Sequence, residues 1–150
     1  PMKKFSFSLE NVLRYKNQLL DGLKAERAAL MMRVIRQEEK IEGMRQRYRE
    51  ANERYCEQKK IGFTTREAHE YDAFFRSMER AIRYELELLA QYRKEEEEKR
   101  EEMILARQES MSIEKLREKE HENYNKMVQK SEELLIEEFV SNSRATEVRA

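Results

Sequence analysis

The chain is 150 residues long with a formal net charge of zero; 41% of it is charged and 39% hydrophobic, with three glycines, one proline and no tryptophan. That length suits one domain, and a composition led by Glu, Lys, Arg, Leu, Met, Gln and Ala excludes a compact mixed fold in favour of long helices or a coiled coil. The balanced charge excludes the basic excess of a nucleic-acid binder, and no apolar run approaches the ~18 residues that would span a bilayer.

The N-terminus carries Lys3 and Lys4 but no apolar stretch after them, so no signal peptide is expected. Pro1, the only proline, precedes Met2 and reads as an addition outside the native start. From Leu9 a heptad begins. Its a positions are Leu13, Leu20, Arg27, Val34, Ile41, Tyr48, Tyr55 and Gly62, and its d positions are Leu9, Lys16, Leu23, Leu30, Gln37, Met44, Ala51 and Gln58. Most are apolar, in one frame without a stutter, which is the period of a left-handed coiled coil. A first helix is expected over about 9–61. Cys56 falls at b and is the only cysteine, so the chain has no internal disulfide and suits a reducing compartment.

A turn is expected at 62–64. Gly62 can take the left-handed conformation that ends a helix. Thr64 and Glu67 form a T-x-x-E capping box, with Phe63 placed to staple onto Ala68. A turn this short makes the flanking helices antiparallel neighbours. The second helix is expected over about 65–140, with a seam through Ala68, Tyr71, Phe75, Met78, Ile82, Glu85, Leu89 and Tyr92. The seam fades at Glu96 and Lys99, and continues through Met103, Ala106, Ser110, Ile113, Arg117, Glu120, Tyr124, Met127, Ser131 and Leu134. Residues 1–61 carry 15 Lys/Arg against 9 Asp/Glu, and residues 62–150 carry 16 against 22. The basic helix therefore suits the acidic one. The expected fold is all-α: a single-domain, two-helix antiparallel coiled-coil hairpin with unequal arms, and a monomer because the seam closes within one chain.

Folding about residue 63 brings Leu9 to the region of Arg117. The rest of the second helix would lack a partner, although it carries Tyr124, Met127, Val128, Leu134, Leu135, Ile136, Phe139 and Val140. An unpartnered helix with an apolar stripe is a docking surface; a frayed tail or a homodimer contact is the plain alternative. Near the turn, Phe74 at g, Met78 at d and Ala81 at g make a small apolar strip beside the seam, read either as packing or as a second docking patch.

Catalysis is not expected. No Gly-rich phosphate loop, G-x-S-x-G or H-E-x-x-H occurs. His69 at b and His121 at e have no companion ligands at metal spacing, and a two-helix hairpin encloses no pocket. No cofactor or metal is expected, and the run Glu95 to Glu102 reads as a solvated helix face.

The N-terminal "KFSFSLENVLRYKNQLLD", the turn "GFTTREAHEYDAFFRSMERAI" and the late "EKLREKEHENY…EEFV" together resemble the FliJ family, coiled-coil proteins of the bacterial flagellar type III export apparatus. The resemblance implies a non-enzymatic stalk and coupling role. It implies binding to a hexameric export ATPase (FliI) through the end that holds both termini, which here points to Tyr124, Met127, Leu134, Leu135 and Phe139. It also implies binding to the export gate membrane protein (FlhA) through a strip that falls on Phe74, Met78 and Ala81. A fourth strip position falls on Glu85, a departure in residue type. Some members bind export chaperones. A cytoplasmic protein, held at the inner membrane only through partners, is implied. The competing function class is a structural or adaptor coiled coil, including the virulence-secretion counterpart; a plain spacer would run on as one helix where this chain places a turn.

Overall fold

The computed structural model describes residues 3–149. Pro1 lies outside them. Two helices make up the fold: α1, Glu10–Ile61, and α2, Thr65–Arg149, packed against each other as a coiled-coil hairpin. Each helix contributes to two compact units, one of residues 22–103 and one of residues 3–21 with 104–149.

The 22–103 unit contains the turn. Gly62 has φ +110°, and its N–H donates to the Gln58 carbonyl at 2.9 Å. An L side chain is strained at that φ, so the helix stops where glycine stands. Two residues later Thr64 caps α2: the Glu67 N–H donates to its Oγ1 at 3.2 Å. Only this half of the expected capping box forms. The expected staple is also replaced. Phe63 stacks on Tyr55 at 5.2 Å and lies against Tyr71 at 5.6 Å, while Ala68 stays exposed. Two rings offer far more apolar area than one methyl group, so the aromatics win.

From the turn the seam continues through an aromatic cluster. Phe75 meets Tyr48 at 5.1 Å, Tyr55 at 5.7 Å and Tyr71 at 6.3 Å. Ile41, Met44, Ala51, Leu89 and Met103 are buried. Among the described residues no large side chain is fully buried, because two helices can cover only one stripe of each other.

One buried layer in this unit is polar. Gln37 Nε2 donates to the Glu85 carbonyl oxygen at 2.9 Å and to its carboxylate, and Lys40 Nζ reaches the same carboxylate at 2.8 Å. The Lys40 hydrogen bond, and then that of Gln37, hold the Glu85 carboxyl below its ordinary range, against the opposing effect of burial. Nearer the unit's other end Arg27 donates to Glu96 at 2.9 Å, and Lys99 bridges Glu26 at 2.8 Å and Glu102 at 3.3 Å. Seam positions where apolar periodicity fades are thus filled by ion pairs.

In the other unit Leu13 and Leu20 are buried, Ser110 Oγ donates to Asn17 Oδ1, and Lys16 meets Glu109 at 2.8 Å. Arg117 Nε donates to Glu10 at 2.8 Å. Pairing does not end there, contrary to expectation. The non-helical residues ahead of α1 form a strap on α2. Phe7 is buried; Phe5 meets His121 edge-on at 4.7 Å and Tyr124 at 5.6 Å; Tyr124 Oη donates to the Lys3 carbonyl at 2.6 Å. The partnered part of α2 therefore extends through Tyr124. The helix also runs to Arg149, past the expected limit near 140. Its last nine residues contain neither glycine nor proline, and the Thr146 hydroxyl bonds back to the Asn142 carbonyl at 2.9 Å.

Two stability experiments follow. A Cβ at Gly62 or at Gly43 would meet nothing within 4 Å, so backbone conformation alone separates the two sites. Gly62→Ala should destabilise by about 1–2 kcal/mol, whereas Gly43→Ala, within α1, should stabilise by about 0.5–1 kcal/mol, both read from urea midpoints. Because the folded Glu85 carboxyl titrates below its unfolded value of about 4.3, its contribution is complete above that pH and is lost as pH falls through the folded value. The urea midpoint of the wild type should therefore fall more steeply on acidification than that of Glu85→Gln.

Candidate docking surfaces

Within the 22–103 unit, Phe74, Met78 and Ala81 stand at i, i+4 and i+7 of α2 and so share one face. Phe74 is 41% exposed, while Met78 and Ala81 are half-buried. The Phe74 ring leans edge-on against Phe75 at 5.7 Å. Phe75 is in turn fixed by Tyr48 and Tyr55, so the exposed ring has a rigid backing. Phe74 also lines a shallow groove between the helices with Ala51, Arg54, Gln58, Glu67, Glu70 and Tyr71. Glu85 does not join this strip. It is buried and its carboxylate is engaged within the seam by Gln37 and Lys40.

In the other unit the strap divides the expected C-terminal set. Tyr124 is half-buried against Phe5 and hydrogen-bonded to Lys3, so it belongs to the folded seam. Met127 is exposed at the edge of a groove formed with Lys3, Lys4, Phe5, Ser6, Glu120, Asn123 and Tyr124. Leu134, Leu135 and Phe139 are exposed, as are Ile136 and Val140. Phe139 is 73% exposed, a large apolar area for water to cover.

Heptad reasoning missed three features. The strap was signalled by the alternating Phe5 and Phe7 ahead of the first helix. Val12, Tyr15 and Leu19 form one exposed apolar group and Met31, Met32 and Ile35 another, all off the a and d positions. Among the described residues no cluster of His, Cys, Asp and Glu is arranged to hold a metal ion. Among them, too, no helix is long and apolar enough to cross a membrane.

The family model for the flagellar FliJ protein matches residues 5–147. Comparison with curated proteins and with solved structures returned no match.

The adjacent rings Phe74 and Phe75 should separate in a melting experiment. Truncating a fully buried Phe costs about 3–5 kcal/mol, and Phe75, half-buried among Tyr48, Tyr55 and Tyr71, should cost a smaller but measurable part of that. Phe75→Ala should lower the circular-dichroism Tm clearly more than Phe74→Ala does.

Proposed function

The chain belongs to the FliJ family and is thereby a component of flagellar type III protein export, and we propose that within that apparatus it is a non-enzymatic coupling protein. Its α2 arm beyond Tyr124 docks in the ring of the export ATPase, and its Phe74–Met78–Ala81 strip docks on the export gate protein. It resides in the cytoplasm and reaches the membrane only through these partners. Export chaperones are a further class of partner on this reading.

The observation that carries the ring assignment is the angular spread of the arm's apolar residues. A helix that packs on one neighbour needs an apolar stripe only somewhat wider than ~100°. At ~100° per residue, Met127, Leu134, Leu135, Ile136, Phe139 and Val140 spread over roughly two thirds of the circumference. Lys126, Lys130, Glu133, Glu137 and Arg144 occupy the remainder, and Glu132 and Glu138 fall between the apolar residues. A single partner helix covers only one side of such a surface. A partner that surrounds the helix, such as the central opening of a hexamer, covers it all. The strip near the turn supports the gate assignment in a different way: an exposed phenylalanine backed by core rings is pre-organised and loses little freedom on binding.

The test is removal of residues from Met127 onward. The strap's ring contacts and hydrogen bond end at Tyr124, and Met127 only edges the groove beside them, so the shortened chain should keep a melting midpoint close to that of the intact one. Its binding to the assembled ATPase hexamer should be lost, and in the intact chain amide exchange over 127–140 should slow when the hexamer is added. Unchanged ring affinity after truncation would remove the arm from this role. A monomer–dimer equilibrium in sedimentation that vanishes with the arm would assign it to self-association instead.

A further inference from the structure

The heptads of the two helices place their g positions opposite one another along one edge of the 22–103 unit. Arg33 falls opposite Glu95, Lys40 opposite Leu88, Arg47 opposite Ala81 and Arg54 opposite Phe74. The register is visible in the contacts: Arg33 meets Glu95 at 3.5 Å, and Arg54 lines the same groove as Phe74. Away from the turn, cations on this edge find acids across the seam. Lys40 does so too, turning inward to Glu85 at 2.8 Å. Nearest the turn they do not. Arg47 and Arg54 are exposed, and among the described residues neither has a carboxylate oxygen within 4.0 Å. The cause is the opposing row, which in α2 has changed from glutamate to Leu88, Ala81 and Phe74. Two acids do border the groove, but Glu70 is paired with Arg66 at 3.3 Å and Glu67 sits at the helix cap.

An apolar strip on one helix thus runs beside arginines on the other that make no ion pair across the seam, their acidic neighbours being Glu50 and Glu57 of α1 itself. We propose that Arg47 and Arg54 of α1 belong to the same docking surface as Phe74, Met78 and Ala81 of α2, and that the partner presents an apolar cleft flanked by carboxylates. The inference rests on reading the strip as the gate site, and adds to it a second helix and the charge of the partner. The division of labour is physical. The phenylalanine supplies a desolvated anchor. The guanidinium groups accept carboxylates in a planar, bidentate fashion. Exposed rim charges of this kind chiefly raise the association rate and fade with salt.

The experiment measures binding of the full chain to detergent-solubilised export gate protein by interferometry, at low and at physiological salt. The variants are Arg47→Glu with Arg54→Glu, Phe74→Ala, and a charge-matched control, Lys24→Glu with Arg36→Glu. All four cations are exposed, so the variants should fold, and circular dichroism checks that they do. Reversing Arg47 and Arg54 should slow association by about tenfold at low salt, with the difference from wild type narrowing as salt rises. The control should stay close to wild type, and Phe74→Ala should weaken binding at both salts. If the Arg47/Arg54 variant matches the control while Phe74→Ala still loses binding, the arginines are ordinary solvated charges and only the strip reading survives. If both bind like wild type, the gate partner docks elsewhere and both readings fall.

Discussion

Two helices can hide only one stripe of each other, and that limit shapes everything else in this protein. In a globular core a side chain is surrounded; in this seam even the best-placed rings keep an edge in water. Stability must therefore come from many modest contacts in register rather than from a few deeply buried ones. That is why the seam tolerates Gln37, Glu85, Ser110, Arg27 and Lys99. A polar group there can reach solvent or a cross-helix partner, so it is never stranded. The same limit leaves most of each helix free for recognition.

The polar layers have a second physical effect. Apolar seam residues pack almost as well one heptad out of register. A glutamate that accepts from Gln37 and Lys40, or a serine that donates to Asn17, does so at one alignment only. Polar seam residues lower packing energy while fixing alignment. The turn acts with them: Gly62 and Thr64 fix where one helix ends and the next begins, and the layers keep both arms at that spacing.

Periodicity made the seam legible in the sequence. Every assigned a and d position of the first heptad run from Leu9 to Gln58 is at least half-buried, and so is every one in α2 from Tyr71 to Tyr124. Periodicity is a property of local sequence, and helices obey it. The features it did not reveal depend on distant or non-helical contacts. The strap lies outside any helical period, and its partners, His121 and Tyr124, are far along the chain. Phe63 had a local rule pointing to Ala68, but long-range aromatic area outweighed it. Lys40, at a g position, reads as solvated until Glu85 is seen beside it. At the candidate sites, sequence identified the Phe74 strip and the C-terminal apolar residues. It placed Tyr124 in the free arm because the strap that covers it went unrecognised.

The strap also bears on the order in which the chain assembles. Tyr55 and Tyr71 are neighbours across the turn, close in sequence as well as in space. The bond from Tyr124 to Lys3 spans 121 positions. Loop closure costs more entropy as the intervening chain lengthens, so contacts beside Gly62 close at a smaller entropic cost than the strap does. On the ribosome the separation becomes one of time as well, because His121 and Tyr124 are made more than a hundred residues after Phe5 and Phe7. Both phenylalanines wait uncovered while that intervening stretch is made. Of the contacts described, the strap carries the largest closure entropy, a cost that a hairpin already in register largely removes.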